Sequence, residues 1–214
     1  AVHVFAAPCP SCSEHICLFF PLVFSRLLSS PLVFSRSLSF PLVSSRFLSF
    51  PVMGGKSTGT FTVTNNTAVF DGDVVDVPFL KAPGFIKADT SGSYPDASGC
   101  SGIYLMAKST TNYTGYRFSF GTAKAPGGGF FSYGYKTHFD APLGSNFKRV
   151  ELPFNEFSDA WNDGTGNLDH TCAENKVYCP STKQLQDFQT MSLWGEGVGG
   201  KVHLTIDEIG VMNC

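Results

Sequence analysis

The run Thr114-Gly-Tyr-Arg-Phe-Ser-Phe120 decides how this chain folds. Tyr116, Phe118 and Phe120 fall on one side of it, with Arg117 and Ser119 on the other. Period two is the signature of an extended strand with one buried face. The same alternation returns downstream. Phe131, Tyr133, Tyr135, Thr137 and Phe139 oppose Ser132, Gly134, Lys136 and His138, while Val202, Leu204 and Ile206 oppose Lys201, His203 and Thr205. Working outward from these runs, strands are expected over 59–64, 67–77, 84–89, 101–108, 114–120, 129–139, 147–152, 190–194 and 201–211. Their spacing is that of an antiparallel sandwich. The single helical candidate is a turn around 183–188. The body is therefore read as all-β.

Composition agrees. Of 214 residues, 43% are hydrophobic and 14% aromatic, with 21 Phe and 22 Gly, but only 15% are charged. An average soluble domain carries about 25% charge. Aromatic and Gly enrichment with few charges favours strands and tight turns. A net charge of −2 gives no electrostatic footprint for nucleic acid.

Residues 21–50 are a different texture: three decapeptides, each with Pro first and Arg sixth. Ten residues is too short for a solenoid unit. The recurring Pro and Arg suit neither a membrane-spanning helix nor an amphipathic one. Arg and Ser abundance with few acids is shared with organelle transit peptides. The preferred reading is a translated tandem repeat or mis-joined gene model, so 1–50 are expected to be a low-complexity, disordered extension and 51–214 the folded domain.

Seven cysteines split into Cys9, Cys12 and Cys17 upstream and Cys100, Cys172, Cys179 and Cys214 in the body. The upstream group has metal-like spacing but lacks a second ligand pair, so no zinc site is expected. The even number in the body suits two disulfides, Cys172–Cys179 closing a short loop and Cys100–Cys214 tying down the C-terminus. Asn65 and Asn112 begin glycosylation sequons, and with the cysteines they favour a secretory, oxidising compartment.

No catalytic constellation emerges. Gly99-Cys-Ser-Gly102 has the wrong spacing for a nucleophile elbow. His138 and His203 fall on solvent-side positions. Asp71 with Asp73, and Asp207 with Glu208, sit at strand ends and are read as solvated. Gly195-Glu-Gly-Val-Gly-Gly200 precedes a strand instead of a helix, so it is expected to be a hairpin connection, not a phosphate loop. Ala125-Pro-Gly-Gly-Gly129 reads as a turn. Tyr104, Trp161 and Trp194, with Asn162 and Asp163 beside Trp161, are candidate glycan contacts, although packing is the commoner role of such rings.

Pro51-Val-Met-Gly-Gly-Lys-Ser-Thr-Gly59 resembles the signature of the NADH:ubiquinone oxidoreductase intermediate-associated protein 30 family. Three later blocks agree in order: 72–86, 147–157 and 186–210, the last with Met191-Ser-Leu-Trp194 and Val202-His-Leu-Thr-Ile-Asp-Glu-Ile209. The resemblance implies a galactose-binding-like jelly roll and a mitochondrial assembly factor or chaperone, not an enzyme. Val52, Met53, Gly54, Gly55 and Ser57 then form a structural turn or a recognition loop, with the glycines supplying positive φ, Ser57 hydrogen-bonding within the turn and Met53 packing in the core. The expected partner is a protein, with no cofactor and no metal. The alternative is a secreted carbohydrate-binding jelly-roll module.

Overall fold

The computed structural model describes residues 55–92, 94–121, 134–162 and 164–214. The repeat within 1–50, Val52, Met53 and Gly54, the turn at 125–129, Phe131, Tyr133 and Asp163 lie outside the described residues. Strands β1 (Thr58–Thr64), β2 (Thr67–Val74), β3 (Asp76–Val77), β4 (Ala82–Pro83), β5 (Phe85–Ser91) and β6 (Gly102–Ser109) come first. Then follow β7 (Tyr116–Gly121), β8 (Tyr135–His138), β9 (Lys148–Pro153), β10 (Thr190–Glu196) and β11 (Gly200–Met212). A single α-helical turn, α1 (Thr182–Gln186), is closed by a capping box between Ser181 and Gln184.

Two sheets form the sandwich, one in the order β1-β2-β11-β6-β9 and the other β5-β10-β7-β8. A ribbon of β3 and β4 stands apart. Every pairing between these strands is antiparallel. The turn joining β1 to β2 is Asn65-Asn66, with φ of 52° and 64°. Two successive left-handed residues match the strand twist, and Asn tolerates that conformation.

The alternation read in the sequence sets the core. Tyr116, Phe118 and Phe120 point inward from β7, and Phe70, Leu105, Leu152, Leu204 and Ile206 meet the same core from the first sheet. Phe120 is the hub. Its ring centroid lies 4.3 Å from Phe188, 4.8 Å from Phe157, 5.6 Å from Phe154 and 6.0 Å from Tyr135. Such pairs add roughly 0.5–1.5 kcal/mol each beyond their burial. In β11 the register shifts between Ile206 and Glu208. This bulge absorbs Asp207, so Ile209 and Val211 still reach the core after two consecutive acids.

Two expectations need correction. The predicted strand over 67–77 breaks at Val74, and Asp76 and Val77 pair with β4. The glycine run at 195–200 is not a hairpin connection either, because β10 and β11 belong to different sheets. Positive φ at Gly197 (76°) and Gly200 (149°) lets the chain cross from one layer to the other.

Both body disulfides are formed. Cys100–Cys214 spans 114 residues and Cys172–Cys179 spans 7. The first lies just beyond the paired ends of β6 and β11, where Gly102 faces Met212. It therefore pins the last strand to the middle of its sheet.

Truncating the hub should be costly. Phe120→Ala is expected to lower unfolding free energy by about 3–5 kcal/mol, read as a reduced denaturant midpoint with an unchanged slope.

Candidate functional site

The second sheet has another face, turned away from the core. It carries Lys87 and Asp89 from β5, Arg117 and Ser119 from β7, Lys136 and His138 from β8, and Ser192, Trp194 and Glu196 from β10. Alternation alone would leave these residues in water. Instead much of the face is covered. Ser119 is buried, and the Lys136 and Glu196 side chains are only 3% and 7% exposed. Lys136 Nζ lies 2.5 Å from Glu196 Oε1.

The cover is built by the chain after β9. Ser158 exchanges two backbone hydrogen bonds with Lys136, of 2.8 and 3.0 Å. Three residues on, the Trp161 indole N–H donates to the Ser158 and Lys136 carbonyls at 3.0 and 3.2 Å. Trp194 is anchored from below, its indole N–H donating to Ser119 Oγ at 2.8 Å.

Cations and indoles alternate across the face. Lys87 Nζ stands 4.4 Å from the Trp194 ring centroid, and Lys136 Nζ lies 4.6 Å from Trp194 and 4.7 Å from Trp161. The Arg117 guanidinium carbon lies 5.6 Å from Trp161. Each contact is electrostatically attractive, and more so where water is excluded. Burial lowers the Lys87 pKa against the opposing pull of Asp89, 2.7 Å away. Burial likewise lowers that of Arg117, whose Nε has no hydrogen-bond partner.

A loop frames the remaining opening. Asn162 Oδ1 accepts from the amides of Gly164 and Thr165, both at 3.0 Å, and Gly166 N–H donates to the Asn162 carbonyl at 2.9 Å. Gly166 adopts φ of 70°, and a Cβ there would stand 3.3 Å from the Glu196 carboxyl carbon. Only glycine supplies both that conformation and that closeness. The result is a small open groove, walled by Pro83 and Phe85, Asn162, Gly164, Thr165 and Gly166, Trp194 and Gly197, with Lys136 and Glu196 among its lining.

The structure brings Trp161, Asn162 and Trp194 together on this face and leaves Tyr104 out. Tyr104 sits on the other sheet, donating to Glu208 at 2.5 Å beneath the Arg149 guanidinium. Trp161 and Trp194 are 7% and 1% exposed, so neither offers a free ring face. Ser57 also bonds outside its own stretch of chain. Its hydroxyl accepts from the Val75 amide at 3.0 Å, 18 residues away. The turn expected at Gly54-Gly55 begins outside the described residues. Asp71 and Asp73 pair across the sheet with His203 and Lys201 instead of with each other. Both sequon residues, Asn65 and Asn112, are exposed.

The sequence reading missed Lys136, Glu196 and Arg117 as site residues. Their one signal was charge on a strand of otherwise uncharged neighbours. That signal is silent on which outward faces a later loop will cover.

Two outcomes follow. Lys136→Met alone strands a buried carboxylate and should cost roughly 3–5 kcal/mol. Lys136→Met combined with Glu196→Leu should recover most of that in a double-mutant cycle of denaturant midpoints. His138 has its pKa lowered, first by burial and then by the Arg117 guanidinium that contacts its Nδ1. Protonation therefore favours the unfolded chain, and stability falls as pH drops below the ordinary imidazole value of about 6.5. His138→Gln should flatten that part of the stability–pH curve, measured by thermal melts.

In comparisons with known proteins, residues 43–177 match the model of the complex I intermediate-associated protein 30 family. No curated protein matches the chain in sequence. Among solved structures, the chain is similar to the family 11 carbohydrate-binding module of cellulosomal cellulase Lic26A-Cel5E of Clostridium thermocellum. Identity is 18% over 75% of this chain and 84% of that one, with a TM-score of 0.47. The same module bound to a β-1,3-1,4-mixed-linked tetrasaccharide gives 18%, 75%, 85% and 0.46. The agarase AgWH50C gives 9% identity over 82% of this chain and 24% of that one, at a TM-score of 0.44. With its match spanning well over half its length, the chain belongs to the complex I intermediate-associated protein 30 family.

Proposed function

We propose that the folded body is a non-enzymatic protein-binding domain of the assembly-factor type. The observation that carries this reading is Phe79, 67% exposed at the tip of the β3–β4 ribbon. Every other phenylalanine among the described residues is buried or half-buried. Leu80 stands exposed beside it.

The tip rests on a defined base. Leu80 N–H donates to the Val77 carbonyl at 3.0 Å, and Gly84 N–H to the Val75 carbonyl at 2.9 Å. The Val75 amide is held in turn by Ser57. Lys81, at φ 50°, completes the reversal. An aromatic side chain held out on an ordered turn loses little freedom on docking, which is the usual character of an interface anchor. The family's name supports an intermediate of complex I as the partner.

The test is affinity capture from detergent-solubilised mitochondria, with complex I subunits identified by mass spectrometry. Wild-type protein should enrich those subunits. Phe79→Asp with Leu80→Ser, which alters only exposed side chains, should reduce enrichment by about tenfold, in the range of an anchor residue. Absence of complex I subunits with the wild-type protein would refute the assembly reading. Equal enrichment by the variant would remove the ribbon from it.

A further inference from the structure

We infer that the outer edge of β9 is a self-association surface, on which two copies of this chain pair β9 to β9 about a twofold axis at Val150. This edge is separate from the protein-binding ribbon tip and uses none of its residues. Three physical features lead there.

The first is an edge whose backbone groups face outward. Among the described residues β9 pairs with β6 alone, at one side of the first sheet. Ser109, just past the stretch of β6 that β9 covers, donates its N–H to the Pro142 carbonyl and accepts from the Gly144 amide. Both bonds lie on the side of β6 away from β11. Alternation then turns Ala107, Leu105 and Ile103 to that same side, where they oppose Lys148, Val150 and Leu152. The Phe154 N–H, bonded to the Ser101 carbonyl, keeps this phase. The N–H and C=O groups of Arg149 and Glu151 therefore point away from the sheet, and no described residue bonds them. The β8 edge of the other sheet, by contrast, is taken by Ser158. A strand edge with unpaired backbone groups is a template for another strand.

The second is the order of charges. Charged side chains on an edge ordinarily discourage pairing. Here β9 reads Lys148-Arg-Val-Glu-Leu-Pro153, and antiparallel pairing centred on Val150 sets each Arg149 opposite Glu151 of the second copy. These are the two positions whose backbone groups face outward, so they become the hydrogen-bonded pairs of the new ladder. Opposite charges directly across a ladder attract, and like charges repel. Slipping by two residues either way puts Arg149 against Arg149 or Glu151 against Glu151, so one register is favoured. Within one copy Arg149 Nε already lies 2.9 Å from Glu151 Oε1, with the side chains 44% and 58% exposed. Two copies close a ring of four charges that alternate in sign.

The third is a short edge held in place. The Arg149 guanidinium carbon lies 3.9 Å from the Tyr104 ring centroid, and the Tyr104 hydroxyl donates to Glu208. A side chain stacked in this way loses little freedom when its opposite number arrives. Pro153 has no N–H to donate, so it ends the ladder, opposite Phe147 of the second copy. Val150, half-buried against the core, meets its own copy at the axis. The pairing joins two sheets into one, through an isologous contact in which every strand pair stays antiparallel. With 6 residues a side the contact is small, in the class of weak, reversible dimers.

The experiment is sedimentation velocity of the full, oxidised chain from micromolar to millimolar concentration. The wild type should pass from monomer to dimer as concentration rises. Arg149→Glu sets carboxylate against carboxylate, and Glu151→Arg sets guanidinium against guanidinium. Each should weaken self-association by about tenfold or more while keeping the wild-type thermal melt. Mixed together, the two variants should sediment as a dimer again, because each supplies the charge the other lacks. Glu151→Pro removes an outward N–H, leaves the β6 ladder whole and should also abolish the dimer. Phe79→Asp with Leu80→Ser should leave it intact, which separates this edge from the protein-binding ribbon. A monomer at every concentration, self-association unchanged by the two reversals, or a mixture that stays monomeric would each overturn the proposal.

Discussion

Phe120 touches four other aromatic rings, from β8, from the turn after β9 and from the segment after α1. Those segments are distant in sequence and meet only because β7 turns its three rings to one side. The cluster thus does two things at once. It fills the space between the sheets, and it fixes where the long connection after β9 must run. Once Phe154 and Phe157 are seated beneath β7, Ser158 is carried onto the edge of β8, where it bonds Lys136. Everything on the outer face follows from that placement.

The outer face illustrates how a polar surface becomes a polar interior. Lys136 is an ordinary outward residue of an edge strand until Trp161 folds over it. Its ammonium then lies between two indoles and against one carboxylate, with both ring N–H groups already bonded elsewhere. The arrangement is satisfied but expensive in desolvation, and small residues at Gly166 and Gly197 keep part of it open to one side. The disulfides stand outside this unit. Cys100–Cys214 holds the end of β11 against β6, and Cys172–Cys179 closes the connection beyond Trp161.

Two features of the surface differ in character. The ribbon tip offers protruding apolar side chains, which suit a complementary protein surface. The groove instead holds a recessed, charge-balanced pair, Lys136 and Glu196. They share the β4–β5 connection, since Pro83, Gly84 and Phe85 line the groove while Phe79 and Leu80 stand at the ribbon's end.

Alternation in sequence determined the strands, their inward faces and hence the sandwich. Tyr116, Phe118 and Phe120 needed only their own spacing to be placed, because a pleated chain leaves no other option. The four ordered sequence blocks likewise sufficed for the family. Tertiary structure alone decided which strands share a sheet, so the glycine run after β10 became a crossing between layers. It also decided that Lys136 and Glu196, 60 residues apart, would form one buried pair. Periodicity reports which way a side chain points from its own backbone. Whether water or another segment waits there depends on contacts made by residues far along the chain, and local spacing carries no trace of them.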